Sequence, residues 1–360
     1  MRVVLAGGGT AGHIEPALAI AAELERQQLA TTSDIHFIGG FRGLEGRIVP
    51  ARGYQLHQIN VIGLPRKLNF QLISYPWQFI TAVFKLCILF NKIKPNFVMG
   101  FGGYVAAPSY AAAKLLRIPI VIHESNARPG VTNQRAAKHA ALVIESFPNS
   151  LPNGKLLGTP IRHEIAVLDR SAHKQTARSY FSMPTNGTLI LVFGGSQGAE
   201  RINQTISDLA PKLTSQGIHV LHIVGDLNLS KYQGHATEFA GKYVVLGYCD
   251  RMDLAYAAAD LAITRSGALT VAELACAGLP AILVPYPVGN GEQEFNAAEL
   301  VAAGAAALLR NQDCTESKLS LLIDSLLADQ SKLEQMGRNA KSIGRPTAAA
   351  DIVAALRSVC

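Results

Sequence analysis

The sequence predicts an α/β protein built from two doubly wound parallel-sheet domains. Three observations carry that prediction. Short apolar segments alternate with amphipathic helical ones, as in a parallel sheet covered on both faces. One device, a strand running into a glycine turn that opens a helix, occurs at Val3–His13 and again at Leu189–Ala199. The chain has 360 residues, enough for two cores.

The first copy reads Val3-Val4-Leu5-Ala6, then Gly7-Gly8-Gly9-Thr10-Ala11-Gly12-His13. Glycines turn tightly, and a helix start offers N–H donors and partial positive charge to a phosphate. The following helix is expected over Ile14–Leu24, with Pro16 in its first turn, where a missing N–H costs little. Gly7, Gly9 and Gly12 have the dinucleotide spacing, a weak signal alone. Ile35–Gly40 reads as the second strand and ends in two glycines rather than the acid that a nicotinamide site places there for a ribose. A dinucleotide-binding protein is therefore disfavoured.

Leu64–Pro95 is rich in apolar residues, among them Trp77, Ile80, Phe84 and Ile88, and is punctuated by Arg66, Lys67, Lys85, Lys92 and Lys94. Pro76 divides it, so a helix is expected from Trp77. Most of these side chains are expected to be buried between sheet and neighbours. The other reading is an interfacial surface with apolar groups in lipid and lysines at anionic head groups.

Strands are expected at 96–100, 118–122 and 141–144, with a helix over Pro108–Leu116. Phe101-Gly102-Gly103-Tyr104 follows the first of these strands. His123-Glu124-Ser125-Asn126 sits at the tip of the second, where open α/β sheets bind ligands. The polar stretch 169–187 is expected to carry the boundary between halves. Later strands are expected at 189–193, 219–225, 243–248, 261–264 and 280–285, and helices from Arg201, up to Ala277, over Glu316–Leu327 and over Ala348–Val359. Two such domains facing one another would leave a central cleft at their strand tips.

Two residues read two ways. Glu273 is placed to accept from ribose hydroxyls, yet Thr270-x-x-Glu273 also has the capping-box pattern. His13, at a helix start that disfavours imidazolium, is placed to take a proton, or simply solvates the turn.

Composition excludes several classes. Hydrophobic residues make up 49% and charged residues 16%, so the chain is not disordered. Net charge is +7, which suits an anionic partner or only a basic surface. Five scattered cysteines lack zinc spacing and suggest reduced thiols. No signal peptide or transmembrane span is expected. No DxD pair or P-loop occurs, so no metal site or P-loop ATPase is supported.

Six motifs in order carry a resemblance: 8–13, 101–105, 123–126, Gly158-Thr159-Pro160-Ile161-Arg162, 194–199 and 265–273. Together they resemble the MurG family of bacterial peptidoglycan N-acetylglucosaminyltransferases, in glycosyltransferase family 28, from the first residues to about Asn296. The resemblance implies a GT-B fold of two Rossmann-like domains. These are an acceptor and membrane-side domain over 1–163, with a C-terminal helix at about 346–360 packing back onto it, and a UDP-GlcNAc-binding domain over 164–345. It implies transfer, with inversion, from UDP-N-acetylglucosamine to the 4-hydroxyl of lipid I, the undecaprenyl-diphosphate-linked MurNAc-pentapeptide. That gives lipid II on the cytoplasmic face of the bacterial membrane, by a peripheral enzyme with no cofactor, no metal and no nucleic-acid partner, whose 64–95 region meets an anionic membrane surface.

By position, the resemblance assigns Thr10, Ala11, Gly12, Asn126, Arg162, Ser196, Cys249 (through its backbone), Arg265, Ala268, Leu269, Thr270, Val271, Ala272, Glu273 and Gln293 to the donor. Glu273 would hold the ribose and Gln293 the sugar. Gly102, Gly103 and Tyr104 go to the acceptor side. Ser196, Arg265 and the helix start at Ala268 are expected to stabilise the diphosphate. His13 is expected to be the general base or an acceptor-diphosphate contact, with Glu124 as rival base. Ala11, Ser125, Thr159, Cys249 and Glu294 depart from commoner family residues, which leaves sugar contacts at Glu294 in doubt. Another UDP-sugar-dependent transferase acting on a lipid or natural product is the alternative.

Overall fold

The computed structural model describes residues 1–61, 70–195, 198–235 and 241–359. The chain forms two compact units, Met1–Arg162 with Thr347–Cys360, and His163–Pro346.

In the first unit the elements are β1 Val3–Ala6, α1 Ala11–Arg26, β2 Ile35–Gly40, α2 Glu45–Ala51, β3 Gln55–Ile59, α3 Phe70–Ile93, β4 Phe97–Gly100, α4 Ala106–Leu115, β5 Ile120–Glu124, α5 Val131–Ala137, β6 Leu142–Glu145 and β7 Lys155–Leu156. The sheet order is β3-β2-β1-β4-β5-β6-β7, parallel throughout.

The second unit holds α6 His163–Ala166, α7 Arg170–Tyr180, β8 Leu189–Phe193, α8 Glu200–Ser215, β9 His219–Ile223, α9 Leu229–Tyr232, β10 Tyr243–Leu246, α10 Met252–Ala258, β11 Leu261–Thr264, α11 Ala268–Ala277, β12 Ala281–Leu283, α12 Glu292–Ala302, β13 Ala306–Leu308, α13 Glu316–Leu327 and α14 Gln330–Ile343. Its parallel sheet has the order β10-β9-β8-β11-β12-β13. α15, Ala348–Leu356, returns to the first unit, where Ile352, Val353 and Leu356 join the core that α1 covers.

Strand order reverses beside β1 in one sheet and beside β8 in the other. At such a switch point the connections leave toward opposite faces, so the loops beyond the carboxyl ends splay and leave a crevice. The register sets Ala6 beside Gly100 and Phe193 beside Thr264. The first glycine loop therefore lies beside the Phe101–Tyr104 turn, and the Gly194 turn beside Ser266–Gly267.

Four expectations change. α1 begins at Ala11, so Pro16 lies inside it and leaves the Gly12 carbonyl without its i+4 donor. α3 runs unbroken through Pro76, so the helix does not begin at Trp77. Its early part (62–69, with Arg66 and Lys67) lies outside the described residues. The polar stretch 169–187 is not a boundary. Asp169 caps α7 by accepting from the Ser171 and Ala172 N–H groups, and the buried Arg178 donates to the carbonyls of Thr185, Asn186 and Gly187 and to Asp260. One arginine thus turns a polar loop into part of the second unit. Thr270 and Glu273 form no capping box, because Gly267 is the N-cap and both residues lie inside α11.

Candidate active site

At the switch point of the first sheet, His13 sits in the first turn of α1. Its Nδ1 lies 3.3 Å from the Gly8 carbonyl oxygen. A carbonyl only accepts, so Nδ1 carries the proton and Nε2 keeps its lone pair. Burial lowers the imidazole's affinity for a proton, against smaller raising effects of the Gly8 carbonyl and the Glu45 charge. The ring is neutral near pH 7, with Nε2 as the basic atom.

The Gly102-Gly103 turn closes over this ring. Gly102 has φ 89°, and a Cβ there would lie 3.3 Å from His13 Nε2. Gly103 has φ 78°, and a Cβ there would approach the Gly8 oxygen to 2.8 Å. A side chain at either position would be strained by its backbone and would crowd the base. Tyr104, next in the chain, donates its hydroxyl to Glu45 Oε1 at 3.0 Å. Thr10 is the N-cap of α1 but does not cap it with its side chain. Its carbonyl accepts from His13 and Ile14, and the N–H groups of Ala11 and Gly12 precede that first helical bond.

The tip of β5 is held by a dense set of hydrogen bonds. His123 Nε2–H donates to the Gly158 carbonyl at 3.0 Å, and burial holds its pKa down to about 4. Glu124 is 3% exposed, and both oxygens accept: Oε1 from the Asn126 N–H, Oε2 from the Gly130 N–H and the Asn133 amide. Burial raises its proton affinity. A carboxylate bonded on both oxygens orients Asn126 and the start of α5, and would have to release those bonds to act as a base. Arg162 lies 4.0 Å from Glu15 of α1, which Arg52 approaches to the same distance. The motif that ends the first unit is thereby tied to the helix that begins it.

In the second unit, Gly267 caps α11, and a Cβ there would meet nothing within 4 Å. The helix start is thus open beside Gly267, as a phosphate site requires, while Ala268 is buried behind it. Ser266 Oγ donates to the Gln293 carbonyl at 2.8 Å, and the Asn296 amide approaches the Ser266 carbonyl. Gln293 Oε1 accepts from the Tyr286 N–H. These bonds bring the Ser266–Glu273 motif and Gln293 together. Glu273, 4% exposed, accepts from the Tyr256 hydroxyl at 2.8 Å. Leu269, Thr270 and Ala272 are half-buried on the same helix and Val271 is buried. Cys249 lies buried between β10 and α10.

Arg265 is held by the chain that follows β12. Its Nη1 donates to the carbonyls of Val284 and Pro285 and to Asn311 Oδ1, and the guanidinium lies over the Tyr286 ring. Through Nη1 it fixes the chain after β12. Ser196 lies outside the described residues. Among the described residues no group of three or more acidic, histidine or cysteine side chains is arranged to hold a metal.

Sequence reasoning missed Glu45, Asn133, Tyr256 and Asn311. All four act across the fold on motif residues. Only Glu45 left a trace in the sequence: it follows Gly39, Gly40 and Gly43, whose Cβ positions it or Tyr104 would occupy. It also brings to the end of β2 the acid that strand lacked, although its carboxylate is fully buried and bonded to backbone, not open to a ribose.

The chain belongs to glycosyltransferase family 28: residues 3–144 match the family's N-terminal domain and residues 189–352 its C-terminal domain. Its two parallel-sheet units are those of the GT-B class. Among curated proteins it is 47% identical over 346 residues (96% of this chain, 94% of the relative) to the UDP-N-acetylglucosamine–N-acetylmuramyl-(pentapeptide) pyrophosphoryl-undecaprenol N-acetylglucosamine transferase of Streptomyces coelicolor. It is 43% identical over 364 residues (98% and 92%) to the protein of the same name in Rhodococcus erythropolis. Among solved structures it is similar to MurG of Acinetobacter baumannii, with a TM-score of 0.78, 30% identity and 99% of each chain covered.

Proposed function

We infer that this chain transfers N-acetylglucosamine from UDP-N-acetylglucosamine to the 4-hydroxyl of the MurNAc-pentapeptide of undecaprenyl-diphosphate-linked lipid I, with inversion, giving lipid II and UDP. One observation carries the reading: a neutral imidazole of fixed tautomer stands at the switch point of the first sheet, in a chain 47% identical over 96% of its length to a transferase of that name.

In the reaction, O4 of the acceptor attacks the anomeric carbon and the bond from that carbon to the UDP oxygen breaks. The O4 proton passes to His13 Nε2, and UDP leaves with the bonding electron pair. Gly102, Gly103 and Tyr104 line the acceptor side of the base, and Thr10, Ala11 and Gly12 contact the donor. The helix start at Gly267-Ala268 receives the diphosphate charge as it develops. Glu273 takes the ribose hydroxyls, Gln293 the sugar hydroxyls, and Asn126 and Arg162 complete the donor contacts.

The same proposal places the enzyme on the cytoplasmic face of the membrane. Trp77, Ile80, Phe84 and Ile88 are 71%, 58%, 66% and 58% exposed and follow the helical repeat along one side of α3. Lys85 and Lys92 flank them in solvent. An apolar stripe with cations beside it suits an anionic lipid surface. Among the described residues no helix is long and apolar enough to cross a membrane.

The test is incubation with UDP-N-acetylglucosamine and a lipid I analogue. The expected product is the disaccharide-bearing lipid with release of UDP. Turnover of another lipid or natural-product acceptor, with none of the lipid I analogue, would overturn the acceptor assignment.

A further inference from the structure

Glu45 is a buried carboxylate that the chemistry above leaves unused. It is 0% exposed, yet its oxygens accept from three separate segments. Oε2 accepts from the Gly9 N–H at 2.9 Å, and Oε1 from the Gly40 N–H at 2.7 Å and the Tyr104 hydroxyl at 3.0 Å. Its cradle is built from glycines. A Cβ at Gly8, Gly39 or Gly43 would come within 2.7, 2.4 or 1.8 Å of a Glu45 atom.

We propose that Glu45 is a positioning residue for proton transfer at His13, holding the imidazole through Gly8 and setting a fixed negative charge behind it. The proposal rests on the reading of His13 as the base. Gly8 is the link. Glu45 packs against its α-carbon on one side, and its carbonyl receives the His13 Nδ1 proton on the other. The bonds to Gly9 and Gly40 hold that carbonyl's loop against the end of β2, and the bond to Tyr104 holds the turn that closes over the ring. A side chain kept only to fill space would not need an ionisable group at such a desolvated point. The carboxylate also takes up the Gly9 N–H, so that amide is not a phosphate donor. Its charge would repel a dinucleotide's pyrophosphate, which explains physically why the glycine spacing here does not mean NAD.

The imidazole's electrostatic surroundings are simple. Glu45 from α2 is the charge that acts on it, Tyr104 of the β4–α4 turn is bonded to that carboxylate, and Arg42 acts on Tyr104. As O4 loses its proton, His13 becomes a cation. A nearby anion stabilises that cation more than the neutral ring, which lowers the barrier.

The test compares Glu45→Gln, His13→Ala and the double variant. Glu45→Gln keeps size and an oxygen acceptor but removes the charge. It should lower kcat about tenfold or more, leave the donor KM within roughly twofold, and move the acid limb of the kcat/KM profile to lower pH, because a less stabilised imidazolium loses its proton more readily. In the His13→Ala background the same substitution should cost nothing further, since its route of action is gone. Losses that multiply, or an unmoved acid limb, would overturn the proposal. Near-normal turnover by His13→Ala would instead overturn the base assignment itself. Should Glu45→Gln fail to fold, Glu45→Asp serves: it keeps the charge but withdraws it by one methylene, so the limb should move the same way by less. An unmoved limb with Asp would also overturn the proposal.

Discussion

His13 draws its chemistry from a short list of neighbours. The Gly8 carbonyl chooses the tautomer, burial keeps the ring neutral, and two glycines of left-handed backbone leave room for it. His13→Ala should therefore lower turnover by about 10²–10⁴-fold, the span expected for a lost general base, while UDP affinity measured by calorimetry stays unchanged. In the native protein the acid limb of the rate should fall below the ordinary histidine value of 6.5, because burial lowers this pKa. Rates measured across the pH range check the sign. Glu124 is the instructive contrast at this scale. It stands in a motif as suggestive as that of His13, but its oxygens accept hydrogen bonds from the loop after β5 and from Asn133 of α5. Its residue type and position were legible in the sequence; its bonding was not, because its partners are set by how β5 meets α5.

At the scale of elements, α3 shows how one helix divides between core and surface. Ala82, Leu86 and Phe90 recur at four-residue spacing and are buried against the sheet, while Trp77, Ile80, Phe84 and Ile88 lie on the exposed side. A continuous apolar stretch cannot reveal which side faces out, since both are apolar. Leu86→Ala should cost about 2–5 kcal/mol in a denaturant melt, as for a filled core site. Trp77→Ser with Phe84→Ser should change stability by only about 0.5 kcal/mol or so per exposed site. The same pair should sharply weaken co-sedimentation with anionic vesicles, and salt should weaken what remains. Undiminished sedimentation of the double variant would remove lipid contact from α3. α7 teaches the converse. Its sequence is polar enough to read as a linker, but Arg178 is 1% exposed and holds a loop and Asp260 together.

At the scale of the molecule, the last helix belongs to the first core. Ile352, Val353 and Leu356 are 0% exposed beside α1. Burying each is worth roughly 1.5–3 kcal/mol, so removing residues 347–360 should unfold the first unit at lower temperature while the second unit keeps its own transition. Two-step calorimetric melting would show it. Acid should also loosen both units. His123 in the first and His222 in the second have pKa values of about 4 and about 3, lowered chiefly by burial from 6.5. As pH falls below 6.5 the unfolded chain binds protons that the folded chain refuses. Stability is thus complete above 6.5 and declines toward the folded values, by up to about 1.4 kcal/mol per pH unit for each histidine. Denaturant midpoints between pH 7 and 4 measure the slope.

The sequence by itself determined the fold class, the position of most strands along the chain, and the motifs that follow them. Period and glycine punctuation are local properties, and a parallel sheet reads them out directly. It was silent on the short edge strands β3, β7 and β13, whose residues are polar or few, and on which motif side chains point at a ligand. Only the tertiary structure decided that Arg265 and Glu124 hold backbone, that Glu273 meets Tyr256 instead of capping a helix, and that Glu45 lies behind the base. Each of those outcomes depends on partners remote in the chain, brought within hydrogen-bond reach by strand order and register. Spacing along a sequence does not encode that proximity.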